Sequence, residues 1–296
     1  MKNLLLFVLM GLSAATAGAQ MVTVQSTARL LQGVEGPAYY PVLSSDGSRL
    51  LFSSDGGSLK VYDFADNVVN RVTDDYVAGN DAFFGGDGQV YYVTQQTGKD
   101  HLLYRTGHTY DPVTREKRVV LDAQHGAVRP AVATRGGALK SAARNYASSA
   151  SIGTAVWTQG SKVYVTVNGQ DRVFSPVDSW AGYLWASLSP DGKRIAFVAA
   201  ETGIVVIDLR GQVLAMLGRY EMPSWYDNNY LVAQHTTDDG RQFTSSQIVL
   251  LKADGTFKAE LTRPSSMTMQ PTAGGGRIVY TTIDGLLTEM RIQIDE

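Results

Sequence analysis

The stretch Ser189-Pro190-Asp191-Gly192-Lys193-Arg194, running on into Ile195, Ala196, Phe197 and Val198, recurs in looser copies along most of the chain and limits the possible folds more than any other feature. Proline presets φ at the second position of a type I turn, and glycine tolerates positive φ at the fourth, which fits Ser189 to Gly192. Apolar runs over 184–188 and 195–200 flank the turn, so the unit reads as a tight β-hairpin. Its second strand is apolar on both faces. A strand with one wet face alternates, so this one belongs to a sheet covered on both sides.

Copies begin at Tyr40-Pro41, Asp81-Ala82, Arg129-Pro130, Pro223-Ser224 and Gln270-Pro271. The first continues through Asp46-Gly47 and strands over 49–52, 59–64 and 68–72, which makes one unit four strands. In the second, the later strands read as 102–105 and 118–121, joined by a long polar connection with His108, Asp111 and Pro112. The third is the most degraded: 138–152 suits a short helix or an irregular insertion as well as a strand, and Asn168-Gly169 is a hairpin signal. In the fifth, Asn228-Asn229 replaces Asp-Gly, asparagine being tolerant of left-handed φ. The sixth ends after about three strands, while a strand over 22–25 or 29–31 is left without a unit. Pairing the two closes a ring. A repeat of about 40 to 55 residues is near the propeller-blade range. The expected fold is all-β: a six-bladed propeller of four-stranded antiparallel blades, closed by the N-terminal strand. Residues 1–19 read as a signal peptide and 20–296 as one propeller domain, with blades near 36–75, 76–126, 127–178, 179–220, 221–264 and 265–296 plus 22–33.

With its looser copies, Ser189-Pro190-Asp191-Gly192-Lys193-Arg194-Ile195-Ala196-Phe197 resembles the WD40-like repeat of TolB-type propellers, over nearly all of the chain after residue 20. The resemblance implies the propeller fold. The same repeat occurs in periplasmic protein-binding propellers, in propeller domains of peptidases and in some lyases, so it leaves function open. The chain departs from TolB in leaving too little sequence before the first blade for a separate α/β domain.

Lys2, an apolar run over 4–15 and Ala17-Gly18-Ala19 form the n-region, h-region and cleavage site of a secretory signal, cut near Ala19. The run is shorter than the ~20 residues that span a bilayer. The mature protein is therefore expected in the periplasm or outside the cell, not membrane-spanning, and monomeric on its own. There are no cysteines, so stability rests on buried area without disulfides or thiolate metal sites. Lys plus Arg number 26 against 28 Asp plus Glu, without a basic block, which disfavours nucleic-acid binding.

No G-x-S-x-G or H-E-x-x-H motif appears, and His101, His108, His125 and His235 show no ligand spacing. Gly85-Gly86-Asp87-Gly88 and Gly274-Gly275-Gly276 fall at hairpin turns and lack the Lys-Ser/Thr that follows a phosphate loop. No catalytic residue, metal or cofactor is assigned. Aromatic rings with a few polar groups at or just before the first strand of each unit suit a binding mouth of the central channel: Tyr39, Tyr40, Asp81, Arg129, Trp180, Tyr183, Trp225 and Gln270. The expected function is non-enzymatic binding of a protein or envelope component there. The alternatives are a carbohydrate-active lyase or hydrolase using the channel, and a structural subunit of an envelope or secretion assembly.

Overall fold

The computed structural model describes residues 21–31, 36–54, 57–75, 77–79, 82–125, 150–151, 154–167 and 170–295. Strand β1 (Met21–Arg29) comes first in the chain but belongs to the last blade. Blade one is β2 (Ala38–Leu43), β3 (Arg49–Ser54), β4 (Ser58–Asp63) and β5 (Val68–Thr73). Blade two is β6 (Phe83–Phe84), β7 (Val90–Thr97), β8 (Leu103–Tyr110) and β9 (Lys117–His125). Blade three is β10 (Ala150–Ser151), β11 (Thr154–Gln159), β12 (Lys162–Val167) and β13 (Gln170–Phe174). Blade four is β14 (Tyr183–Leu188), β15 (Arg194–Ala199), β16 (Gly203–Asp208) and β17 (Val213–Gly218). Blade five is β18 (Glu221–Trp225), β19 (Tyr230–Asp238), β20 (Phe243–Lys252) and β21 (Lys258–Glu260). Blade six is β22 (Thr268–Gly274), β23 (Arg277–Thr282) and β24 (Thr288–Asp295), completed by β1. Six four-stranded sheets result, and every pairing within them is antiparallel. Strand β1 pairs with β24 from Met21↔Asp295 to Arg29↔Thr288 and closes the ring.

The repeat motif acts through its turn. Gly192, at φ 68°, donates its amide to the Ser189 carbonyl at 2.8 Å. Ser189 Oγ donates to Asp191 Oδ1 at 2.7 Å and accepts the Arg194 amide at 2.9 Å. Ser44, Asp46 and Gly47 repeat this arrangement, with Gly47 again at φ 68°. In blade five the turn is made differently from expectation. Neither Asn228 nor Asn229 has positive φ; instead the Asp227 carboxylate takes the amides of Asn229 at 2.6 Å and Tyr230 at 2.8 Å.

The strand after the turn is sandwiched. Ile195, Phe197 and Ala199 of β15 pack with Val163 and Val165 of blade three, while Ala196 and Val198 pack with Leu231 and Val249 of blade five. Similar apolar seams join blades one and two, five and six, and six and one. Where blades six and one meet, the turns touch through backbone. The Gly275 amide donates to the Ser45 carbonyl at 3.1 Å, and a Cβ on Gly275 would run into the Asp46 carbonyl. That close approach is the reason for the glycine run at 274–276.

Blade two differs from its sequence reading. In blade two the third strand extends to Tyr110, so His108 lies within it and the polar connection shrinks to a turn around Asp111, whose carboxylate binds the amides of Val113 and Thr114. In blade three the innermost described strand is β10, within the 138–152 segment, and the expected start of that copy at Arg129 lies outside the described residues.

Candidate functional site

Four inner strands share a departure from regular pairing. Tyr40 (φ 53°), Trp185 (φ 51°), Met222 (φ 51°) and Gln270 (φ 55°) are left-handed. Each sits at a register shift between its inner strand and the next strand outward. A non-glycine residue in this region costs on the order of 1 kcal/mol or more, and such strain persists only where the surroundings fix it. The shift is a β-bulge, which re-aims a side chain that regular alternation would send into a seam between blades. Two successive residues thereby escape burial in each strand: Tyr39-Tyr40, Leu184-Trp185, Glu221-Met222 and Met269-Gln270. Inner strands surround the axis of a propeller, so these pairs furnish the described part of its channel wall.

A polar chain ties three of these blades together. The Tyr40 amide donates to Gln270 Oε1 at 2.8 Å, and the Gln270 amide donates to Gln234 Oε1, also at 2.8 Å. Gln234 Nε2 donates to Thr236 Oγ1 at 2.7 Å and lies 3.4 Å from Glu221 Oε2, to which Thr236 Oγ1 donates at 3.2 Å. Amides freed by the bulges of blades one and six are satisfied by glutamine side chains of the preceding blade, as buried donors require.

Glu221 is the half-buried carboxyl in this chain. Burial pushes its pKa up, with the nearby negative charge of Asp238 acting in the same direction, while the Thr236 hydrogen bond and His235 pull it down. The folded protein therefore holds this proton more tightly than the unfolded chain. The contribution is fully present below the unfolded carboxyl range and is lost as pH rises through the raised folded value. Glu221→Gln is expected to flatten that part of the stability profile, giving a smaller fall in Tm as pH is raised from the ordinary glutamate range towards neutrality. An unchanged slope would show that Glu221 is effectively solvated.

The strands set two faces. One, here the upper face, carries the connections from each outer strand to the next blade and the turns between second and third strands. On it, Trp180 is 90% exposed. Its loop is nonetheless tethered. Ser179 Oγ donates to Glu201 Oε2 at 2.6 Å, the Ala181 amide donates to Glu201 Oε1 at 2.9 Å, and Ser161 Oγ donates to the Ser179 carbonyl. The Ser179 and Ala181 hydrogen bonds hold the Glu201 carboxyl below its usual pKa range. Tyr40, 46% exposed, and Ile283, 51% exposed, lie towards the same face, where Tyr39 OH reaches the Ile283 carbonyl at 3.4 Å. Blades two and five raise longer hairpins there, ending at the Thr97↔Leu103 and Asp238↔Phe243 pairs. Leu102, Leu103 and Phe243 are exposed near their tips.

Of the residues proposed from sequence, Tyr39, Tyr40, Trp180 and Gln270 lie on the inner strands or the upper face. Tyr183 and Trp225 do not serve the mouth. Tyr183 is buried, 4.7 Å from the Phe197 ring, with its hydroxyl donating to the Val177 carbonyl. Trp225 is buried in the seam between blades four and five; Nε1 donates to the Ser187 carbonyl at 3.0 Å, and the Arg194 guanidinium lies 5.3 Å from its ring. Both rings act as wedges, because each follows the inner-strand alternation into a seam. Asp81 and Arg129 lie outside the described residues. Sequence reasoning missed Trp185, Met222, Glu221 and Gln234. Trp185 stands as far before Gly192 as Tyr40 before Gly47, and Met222 precedes a proline as Tyr40 and Gln270 do, so the first two carried a signal.

Among the described residues no group of three His, Cys, Asp or Glu side chains is placed to hold a metal ion. The histidines serve separate contacts. His108 stacks on Tyr92 with Nε2 2.8 Å from Thr94 Oγ1, and burial lowers its pKa. His125 Nδ1 lies 3.2 Å from the Leu103 carbonyl, and His235 packs on Tyr220.

No family model and no curated protein matches the chain. Solved structures do. TolB from Acinetobacter baumannii superposes with TM-score 0.51 at 18% identity, over 75% of this chain and 53% of that one. A provisionally assigned TolB from Agrobacterium tumefaciens gives TM-score 0.50 at 15% identity, over 88% of this chain and 91% of that one. The chain is structurally similar to TolB propellers. It spans about half the length of the Acinetobacter TolB it matches. An oligogalacturonate lyase in complex with manganese gives TM-score 0.49 at 14% identity, covering 87% and 78% of the two chains. At these identities the likeness is one of fold.

Proposed function

We propose that this chain is an exported, non-enzymatic propeller that binds a protein or another envelope component at the mouth of its channel, on the upper face. One observation carries the reading. The exposed large aromatics, Tyr40, Trp180 and Phe243, lie on or towards that face, together with Leu102, Leu103 and Ile283. The other exposed large apolar residues, such as Val119, Val173, Leu214 and Met216, lie along outer strands, except Val113, which sits in the turn after β8 on the opposite face. Apolar side chains concentrated on one face of a folded chain mark an interaction surface, and Trp and Tyr are the residues that dominate binding energy. The tethering of the Trp180 loop supports this. Holding a nearly naked indole in place lowers the ordering cost of association. Export rests on the N-terminal sequence.

The test uses the mature protein as bait in envelope extracts, followed by affinity measurement with the captured partner. Trp180→Ala is expected to weaken binding by about 2 kcal/mol or more, roughly thirtyfold, because a truncated hot spot typically costs that much. Its Tm should stay within about 1 °C of the parent, since a surface change is within ±0.5 kcal/mol. Normal binding by Trp180→Ala and Tyr40→Ala together would remove the upper face from consideration.

A further inference from the structure

Resting on that reading, we infer that the channel mouth receives a lysine or arginine side chain of the bound partner, with its cationic head on Glu221 and its alkyl stem along the apolar wall beside it. The wall is mostly apolar: Tyr40, Leu184, Trp185, Met222 and Met269 are all partly exposed, on inner strands otherwise buried in the seams. Into this surface blade five introduces one carboxyl. Glu221 directly precedes Met222, and its Oε2 is held by Thr236 and Gln234 of the neighbouring strand. Its Oε1 receives no hydrogen bond from a described residue. That oxygen is not fully buried, so it stays open to a cation entering the channel, which would offset the cost of holding a half-buried carboxylate beside apolar groups.

The charges around it favour a cation over an anion. Asp238, on the same hairpin as Gln234, adds negative charge near Glu221, and His235 is the titratable group that opposes it. A long basic side chain fits both features at once, because its methylene stem packs on apolar surface while its head stays polar. Trp185 and Tyr40 add aromatic faces suited to a guanidinium or ammonium. A sugar would use the aromatic faces but has no need of the carboxylate's charge. An anionic ligand would meet Glu221 and Asp238 as repulsion.

The test needs no partner. With methionine methyls carbon-13 labelled in the full mature chain, and the Met222 signal assigned by its loss in Met222→Leu, the protein is titrated with n-butylammonium, n-butylguanidinium and n-butanol. The cations are expected to shift the Met222 methyl saturably, and n-butanol to bind at least about tenfold more weakly, one well-made ion pair being worth about that factor. Glu221→Gln should bring the cations down to the n-butanol level while the n-butanol shifts persist, which also shows that the variant is folded. If n-butanol binds the unaltered protein as well as the cations do, or if Met222 does not move, the cation site is refuted. Undiminished cation binding by Glu221→Gln would refute it as well. Each of these results is independent of the Trp180→Ala affinity, so the cation site can fail while the binding face stands, and the reverse.

Discussion

Replacing Phe197 by alanine is expected to destabilise the protein by about 3–5 kcal/mol, the range for truncating a buried aromatic that leaves a cavity. Phe197 is fully buried on β15, and its ring lies 4.7 Å from that of Tyr183. Both belong to the seam between blades three and four, with Val163, Val165 and Val205 around them. Backbone pairing fixes those neighbours, since β15 is held by β14 on one side and β16 on the other. The cavity cannot close by a shift of one strand, which places the cost towards the upper part of the range. Denaturant unfolding measures it, as a lower midpoint at unchanged m-value. A loss below about 1 kcal/mol, near the surface range, would mean that the seam is not packed as described. Trp225→Ala belongs to the same class, because it empties the next seam and also strips a donor from the Ser187 carbonyl.

The propeller was legible because its information is local and repeated. Each Ser-x-Asp-Gly turn reports a hairpin through groups within one turn: a serine hydroxyl, an aspartate carboxylate and a glycine amide. The doubly apolar strand that follows reports stacking between blades, and Phe197 and Val198 do pack to opposite sides. What escaped was set by contacts distant in sequence. The amide of Tyr40 in blade one is met by Gln270 of blade six, and that of Gln270 by Gln234 of blade five.

The mouth was half legible for a related reason. Aromatic residue type pointed to Tyr39, Tyr40 and Trp180, but the same criterion also selected Tyr183 and Trp225, which are buried. What separates the groups is the bulge. Before it, Tyr183 faces a seam; at it, Trp185 is partly exposed at the edge of the seam between blades four and five; after it, Trp225 has returned to a seam. Position within the repeat is the better guide: distance from the turn glycine would have found Trp185, and the proline that follows would have found Met222, irrespective of residue type. Glu221 carries no such mark. Its significance comes from Gln234 and Thr236, which sequence places on another strand.

Deleting residues 22–31 is expected to have the largest effect of all: aggregation, with a broadened and lowered thermal transition. The reason is pairing more than burial. Eight of the nine residues of β1 are exposed, and Val22 alone packs against the seam between blades five and six. Yet β1 satisfies the outer edge of β24 along its whole length, and just beyond it the Leu30 amide donates to the Leu287 carbonyl at 2.9 Å while Leu30 itself is buried. Without these residues β24 would present a row of unpaired amides and carbonyls beside Met290 and Ile292, and an uncovered edge recruits strands from other molecules. Point changes should separate the two contributions. Val24→Ala, at a position 40% exposed, leaves the backbone pairing intact and should cost no more than the ~0.5 kcal/mol typical of a surface site. The deletion should fail although β1 itself contributes little apolar packing, with the loss of Leu30 and Leu31 from the seam between blades six and one adding to the effect. Light scattering and calorimetry on the two variants decide the matter: a truncated chain that remains monomeric with the parent's Tm would show that β1 is not what closes the ring.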